Sequence, residues 1–299
     1  MTSVAANSYP SLNVTMNGFP ASSRYASGGP RPPHGTINAL FFDAVERFDR
    51  ADALSTKVRG VWEPMSHRTI LERVRCTALG LADMGIVAQD RVAILSENRP
   101  EWLIADFACI CSAITDVPIY PTLPADQLPY LLNNSGARAI FVSDAEQAKK
   151  VASIRSEVPG LQWIIGFAAT KADGCDFTLA DIEAKGAAVD SAERAMNFRH
   201  DALAVTTDQL VTLIYTSGTT GHPKGVMLTQ DNLYSNVIAT KSSLDVGASD
   251  VALSFLPLSH IFERTGDYFL FANGVRIAYA ESIDTVPVNM GEVKPTMMM

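Results

Sequence analysis

Between Arg91 and Phe167 the chain switches repeatedly between two hydrophobic periods, and this constrains its fold more than any other feature. Short apolar runs at Arg91–Leu95, Asp116–Tyr120, Ala139–Val142 and Leu161–Phe167 have the length of buried strands. Between them lie stretches with helical spacing: one carrying Trp102, Ala105, Phe107 and Ile110, one from Asp126 to Asn134 ended by Gly136, and one around Glu146–Ser156. Strands alternating with helices of roughly ten to fifteen residues build βαβ units. The predicted fold is therefore α/β, with βαβ layers and mainly parallel sheets. Two helices precede the alternation. In the first, Ile37, Leu40, Phe41, Ala44, Val45 and Phe48 share a face and Thr36 is the N-cap. The second runs from Ser66 to Met84, with Gly85 as its stop. Asn98 is placed to cap the helix that opens with Pro100, where a missing N–H costs little.

Composition narrows the class without giving the chemistry. The 299 residues carry a net charge of −8, which leaves no electrostatic footprint for nucleic acid or an anionic membrane. No apolar run has the length of a membrane span, although a peripheral membrane contact stays open. The four cysteines are too few for a disulfide scaffold, and a soluble, cytoplasmic protein is expected. Cys109 and Cys111 sit in an apolar helix with no second pair to complete a zinc site, so both read as buried thiols. Residues 1–35 are rich in Ser, Asn, Pro and Gly, contain no acidic residue, and are expected to be a disordered tail. Residues 170–207 are polar and weakly periodic, and read as a surface connection at a subdomain boundary within 36–299.

The chemistry is concentrated in one loop. A clear strand, Leu210–Tyr215, runs into Thr216-Ser217-Gly218-Thr219-Thr220-Gly221-His222-Pro223-Lys224-Gly225, and a second apolar run, Val226–Leu228, follows. Glycines let backbone N–H groups approach an anion, hydroxyls donate hydrogen bonds, and lysine adds mobile positive charge. This is a composition for holding polyphosphate. The ordinary P-loop spacing is absent, because Lys224 is followed by Gly225 and preceded by Pro223. The phosphates would thus be held in a strand–loop–strand turn. On composition alone, a plain Gly/Thr-rich surface loop is an equal reading.

The string from Tyr215 to Val226 resembles the phosphate-loop signature of the adenylate-forming superfamily, which includes acyl-CoA synthetases, luciferases and peptide-synthetase adenylation domains. Asp90–Trp102 and Val117–Thr122 are similar to that family's first subdomain. Leu256-Pro257-Leu258-Ser259-His260-Ile261-Phe262-Glu263-Arg264 resembles the next motif in the form common among long-chain fatty acyl-CoA synthetases. The resemblance covers roughly residues 37–299. It implies an AMP-forming acid–thiol ligase that uses Mg²⁺ and ATP to activate a fatty acid, then passes the acyl group to CoA. It assigns Thr216, Ser217, Gly218, Thr219, Thr220, Gly221 and Lys224 to the β- and γ-phosphates, and Thr216 also to Mg²⁺. His260 would lie beside the substrate carboxylate and acyl pocket. Without that context, His260 in its apolar string reads as a hydrogen-bonded core residue. Glu263 and Arg264 are expected to be structural, while Phe262 or Phe269 would line an acyl tunnel or simply pack.

Several family signatures are absent: the adenine and magnesium segment, the ribose aspartate, the hinge and the C-terminal catalytic lysine. Thr265-Gly266-Asp267 spells the ribose motif but falls inside a helical pattern, where it reads as coincidence. The resemblance thus describes a truncated N-terminal domain, without the C-terminal domain, that completes neither reaction step by itself. The Lys294–Met299 run reads as the start of a buried strand. Two alternatives remain: a vestigial nucleotide- and acyl-binding protein without turnover, and an ordinary phosphate-loop NTPase, which the lysine spacing disfavours.

Overall fold

The computed structural model describes residues 34–216 and 221–298. The tail expected over 1–35 falls almost wholly outside the described residues, as do Ser217, Gly218, Thr219 and Thr220 of the loop. The elements open with α1 (Ile37–Phe48), the hairpin β1 (Leu54–Val58) and β2 (Val61–Met65), and α2 (His67–Asp83). The alternating region follows as β3 (Arg91–Leu95), α3 (Pro100–Cys111), β4 (Thr115–Ile119), α4 (Leu128–Ser135), β5 (Ala137–Val142), α5 (Ala145–Ser153) and β6 (Trp163–Gly166). Next come β7 (Phe177–Thr178), α6 (Leu179–Val189), α7 (Ala192–Ala204), β8 (Leu210–Thr216), β9 (Lys224–Thr229) and α8 (Gln230–Lys241). The last are β10 (Val251–Ser254), α9 (Ile261–Ala272), β11 (Arg276–Tyr279), α10 (Val286–Val293) and β12 (Met297–Met298).

These strands form two sheets. One has seven strands in the order β7-β6-β5-β3-β4-β8-β9, and is parallel except for the β8–β9 hairpin. The other has five in the order β12-β10-β11-β1-β2, and is parallel except for the β1–β2 hairpin. The expected α/β class with mainly parallel sheets is what the chain adopts. Alternation along β3 shows how the layers stack. Val92 and Ile94 enter a core shared with α1, α3, α9 and the inner residues Leu54 and Ile277 of the five-stranded sheet. Ala93 and Leu95 point the other way, onto Leu128, Leu132, Ala148 and Val151 of α4 and α5. Helices therefore lie between the sheets as well as outside them, and every parallel strand of the β3 type is buried on both faces.

Local chemistry sets the helix starts. The hydroxyls of Thr36 and Ser66 accept from Ala39 N and Thr69 N, as the spacing predicts. Asn98 behaves differently from expectation. The N-cap of α3 is Arg99, with no side-chain cap bond, and Asn98 instead joins the two sheets. Its amide nitrogen donates to Leu256 O at 2.7 Å and its oxygen accepts from Leu258 N at 2.9 Å. Residues 170–207 are largely exposed, as a surface connection would be, but they carry regular structure in β7, α6 and α7. A capping box between Thr178 and Asp181 starts α6, which packs closely on α2. A Cβ on Gly186 would lie 1.9 Å from Cys76 O, and one on Gly80 2.1 Å from Ile182 O. The glycines that flatten the periodic signal are what let the two helices touch. Cys109 and Cys111 are buried, and burial pushes both thiols up from their ordinary range.

Candidate functional site

The phosphate-type loop sits at the carboxyl end of β8, where ligands of parallel α/β sheets bind. β8 and β9 pair antiparallel down to Thr216↔Lys224, the last rung before the loop opens. This is the strand–loop–strand turn the sequence predicts, and both Thr216 and Lys224 are exposed. Gly221 has φ +117°, a backbone that L side chains rarely adopt, so the glycine there is a geometric requirement. The described part of the loop presents one hydroxyl and one ammonium from facing positions on adjacent strands. Ser217 to Thr220 complete the set in sequence and lie outside the described residues.

The second motif sits at the carboxyl end of β10, on the other sheet. Leu256 to His260 form the turn between β10 and α9, and Asn98 from the carboxyl end of β3 holds that turn by the two bonds given above. His260 is the N-cap of α9, and its Nδ1 accepts from Phe262 N at 3.2 Å. Its imidazole is exposed, which overturns the core reading of this histidine. Phe262 is 60% exposed beside it, whereas Phe269 is buried in the core between the sheets.

Arg264, one turn further along α9, binds the two motifs together. The fully buried guanidinium donates from Nη2 to Asp106 Oδ1 at 2.5 Å and to Asp116 Oδ2, and from Nη1 to Asp116 Oδ1 and Thr212 Oγ1 at 2.9 Å each. Thr212 in turn donates to Asp116 Oδ1 at 2.6 Å. Thr212 belongs to β8, so one residue of the His260 helix is hydrogen-bonded to the strand that feeds the loop. The Tyr268 hydroxyl accepts from Arg264 Nε and donates to Asp106, both at 2.6 Å, and Trp102 lies under the guanidinium at 5.4 Å. Burial pushes the Asp106 carboxyl well above its ordinary range, with Arg264 pulling the other way. A second acid pair lies along α9. Glu263 accepts from Ser254 Oγ at 2.7 Å and Asp267 accepts from Tyr279 Oη at 2.9 Å. Glu263 Oε2 and Asp267 Oδ1 are buried without partners. Burial lifts Glu263 to about 7 and Asp267 well above the usual carboxylate range. Asp267 is thus an interior helix residue of α9, as its place in the helical pattern implies.

Sequence reasoning found the two motifs but missed what joins them. Asn98 was legible only as a cap, and nothing in the pattern pairs Arg264 with Asp106 and Asp116. The sole signal was three charged residues in strongly apolar surroundings, which need partners to be buried there.

Comparison with known proteins extends this geometry to a family. Residues 41–299 match the family model described as AMP-binding enzyme. Over 269 residues the chain is 33% identical to the long-chain-fatty-acid–CoA ligase FadD15 of Mycobacterium bovis, covering 89% of this chain and 43% of that protein. It is 30% identical over 258 residues to the peroxisomal long chain acyl-CoA synthetase 7 of Arabidopsis thaliana, covering 83% of this chain and 36% of that one. Among solved structures, the inhibitor-bound N-terminal domain of FACL13 from Mycobacterium tuberculosis superposes with a TM-score of 0.74 at 25% identity, covering 88% of this chain and 62% of that one. The chain thus spans less than half the length of the curated relatives it matches. With a family model matching from the middle of α1 to the last residue, and both motifs placed at carboxyl sheet edges, the chain belongs to the AMP-binding enzyme family.

Proposed function

We propose that the β8–β9 loop and the β10–α9 turn form the ATP-phosphate and carboxylate ends of a long-chain fatty-acid–CoA ligase of the AMP-forming type. The observation that carries this reading is the hydrogen-bonded path from His260's helix, through Arg264 and Thr212, into the strand that ends at Thr216. In the reaction, a carboxylate oxygen attacks the α-phosphorus of ATP, pyrophosphate leaves, and an acyl-adenylate forms. The thiolate of CoA then attacks the acyl carbon and AMP departs.

Two anions must meet in the first step, so catalysis rests on positioning and charge neutralisation. Lys224, with Ser217, Gly218, Thr219, Thr220 and Gly221, takes the β- and γ-phosphates. His260 accepts a hydrogen bond at Nδ1, which leaves Nε2–H as a donor suited to a carboxylate. Among the described residues no cluster of three or more His, Cys, Asp or Glu is arranged for a metal. Thr216 offers one neutral oxygen, which fits a Mg²⁺ that arrives on the triphosphate and keeps its waters. Bound there, Mg²⁺ would neutralise phosphate charge.

No helix among the described residues is long and apolar enough to cross a membrane, and we place the reaction in the cytoplasm. In domain terms, residues 36–299 are part of the AMP-binding N-terminal domain. The test is incubation with ATP, Mg²⁺, palmitate and CoA. Palmitoyl-CoA formed above a Lys224→Ala control supports the ligase reading. ATP binding that Lys224→Ala removes, with no palmitoyl-CoA formed, is the outcome expected of part of an N-terminal domain acting alone, and equally of the binding-only alternative.

A further inference from the structure

The descending limb of the loop is held by a residue from outside both motifs. Tyr130, on α4, stacks its ring on His222 with centroids 4.5 Å apart and planes 16° apart. Its hydroxyl donates to Pro223 O at 3.1 Å. Proline has no N–H, so that carbonyl is its only backbone hydrogen-bonding group. The same ring meets Tyr215 edge-on at 6.5 Å, and the Tyr215 hydroxyl donates to Asn134 Oδ1 at 2.6 Å. Tyr130 and Asn134 are four residues apart on α4, hence on one face. One helical turn therefore grips both limbs of the hairpin, Tyr215 on the ascending side and His222–Pro223 on the descending side. Burial beside Tyr130 pushes the Tyr215 phenol up to about 12, so its hydroxyl keeps its proton for Asn134 through the physiological range.

We propose that Tyr130 is a positioning residue for Lys224. By fixing the two residues before it, Tyr130 sets where the Lys224 backbone leaves the sheet, and a polyanion then binds without first ordering that limb. His222, between Gly221 and Pro223, is the stacking partner. The proposal rests on the reading of Lys224 as a phosphate ligand.

Tests of the full chain and its Tyr130→Ala, Tyr130→Phe and Lys224→Ala variants separate the two ideas. Two quantities are measured: hydrogen exchange of peptides covering residues 221–228, and affinity for inorganic tripolyphosphate by calorimetry. Tyr130→Ala should speed exchange in that segment and weaken tripolyphosphate by about 5- to 10-fold, the worth of an aromatic pair. Tyr130→Phe keeps the stack and loses the bond to Pro223, so its affinity should fall between Ala and wild type. Unchanged exchange in Tyr130→Ala overturns the proposal, as does faster exchange with undiminished affinity. Absence of tripolyphosphate binding by wild type sinks the phosphate reading itself. Binding lost in Lys224→Ala but intact in Tyr130→Ala sinks only the role of Tyr130.

Discussion

Two pairs of buried acids lie at α9, and they meet different partners. Asp106 and Asp116 come from α3 and β4 and close on the guanidinium of Arg264, with Thr212 and Tyr268 filling the remaining positions. Glu263 and Asp267 come from α9 itself and accept from the hydroxyls of Ser254 and Tyr279, and among the described residues neither forms an ion pair. The first pair is a joint between elements bridged by a cation, although burial pushes the Asp106 carboxyl up as it does the second pair. The second is a neutral seam that survives by keeping protons. One helix uses both solutions because its two flanks have different tasks: one must be pinned to the loop-bearing sheet, the other only packed on the five-stranded sheet.

Breaking the cation-bridged joint should have the largest effect. Arg264→Met leaves two buried acids without a cation, and urea denaturation should show a loss of about 3–5 kcal/mol. Adding Asp116→Asn to that variant should recover part of the loss, since fewer charges are then stranded. A double variant no more stable than Arg264→Met alone would show that Asp116 is not what the arginine compensates.

The neutral seam is probed by pH. Glu263 has a folded-state pKa near 7 against an ordinary 4.5, so the native form keeps a proton that the unfolded chain releases. Its stabilisation is full below about pH 4.5 and is lost as pH rises to about 7. Relative to Glu263→Gln, wild type should lose roughly 3 kcal/mol across that window. Parallel pH–stability curves for the two proteins would contradict the protonated seam. Tyr279→Phe removes the donor to Asp267 and should cost about 1–2 kcal/mol in the same assay. Smallest of all, Lys224→Ala should change stability by no more than about 0.5 kcal/mol, since the residue is exposed, yet it should abolish tripolyphosphate binding.

The same contrast explains what was legible beforehand. β3 to β6 were readable because strands buried on both faces are short apolar runs and their helices are strongly one-sided. The β1–β2 hairpin escaped notice because Val61–Met65 is exposed or half-buried, so its sequence carries little hydrophobic signal. α6 was hidden by Gly186 and its alanines, residues that serve close packing on α2. The loop was found through glycine and hydroxyl composition, and His260 through its motif. Asn98, Arg264 and Tyr130 act across 52 residues of sequence or more to reach the partners that join the motifs, a distance no local pattern encodes.

That separation also bears on how the chain is made. The seven-stranded sheet is complete once Thr229 has been synthesised, but the guanidinium that compensates Asp106 and Asp116 lies in α9. The β1–β2 hairpin waits longer still, because Leu54 pairs with Ile277. Contacts of such separation slow folding and leave surfaces open to aggregation. A ribosome-bound chain ending before Arg264 therefore carries a half-built core with unneutralised acids and an unpaired hairpin, the state in which a chaperone has the most to hold.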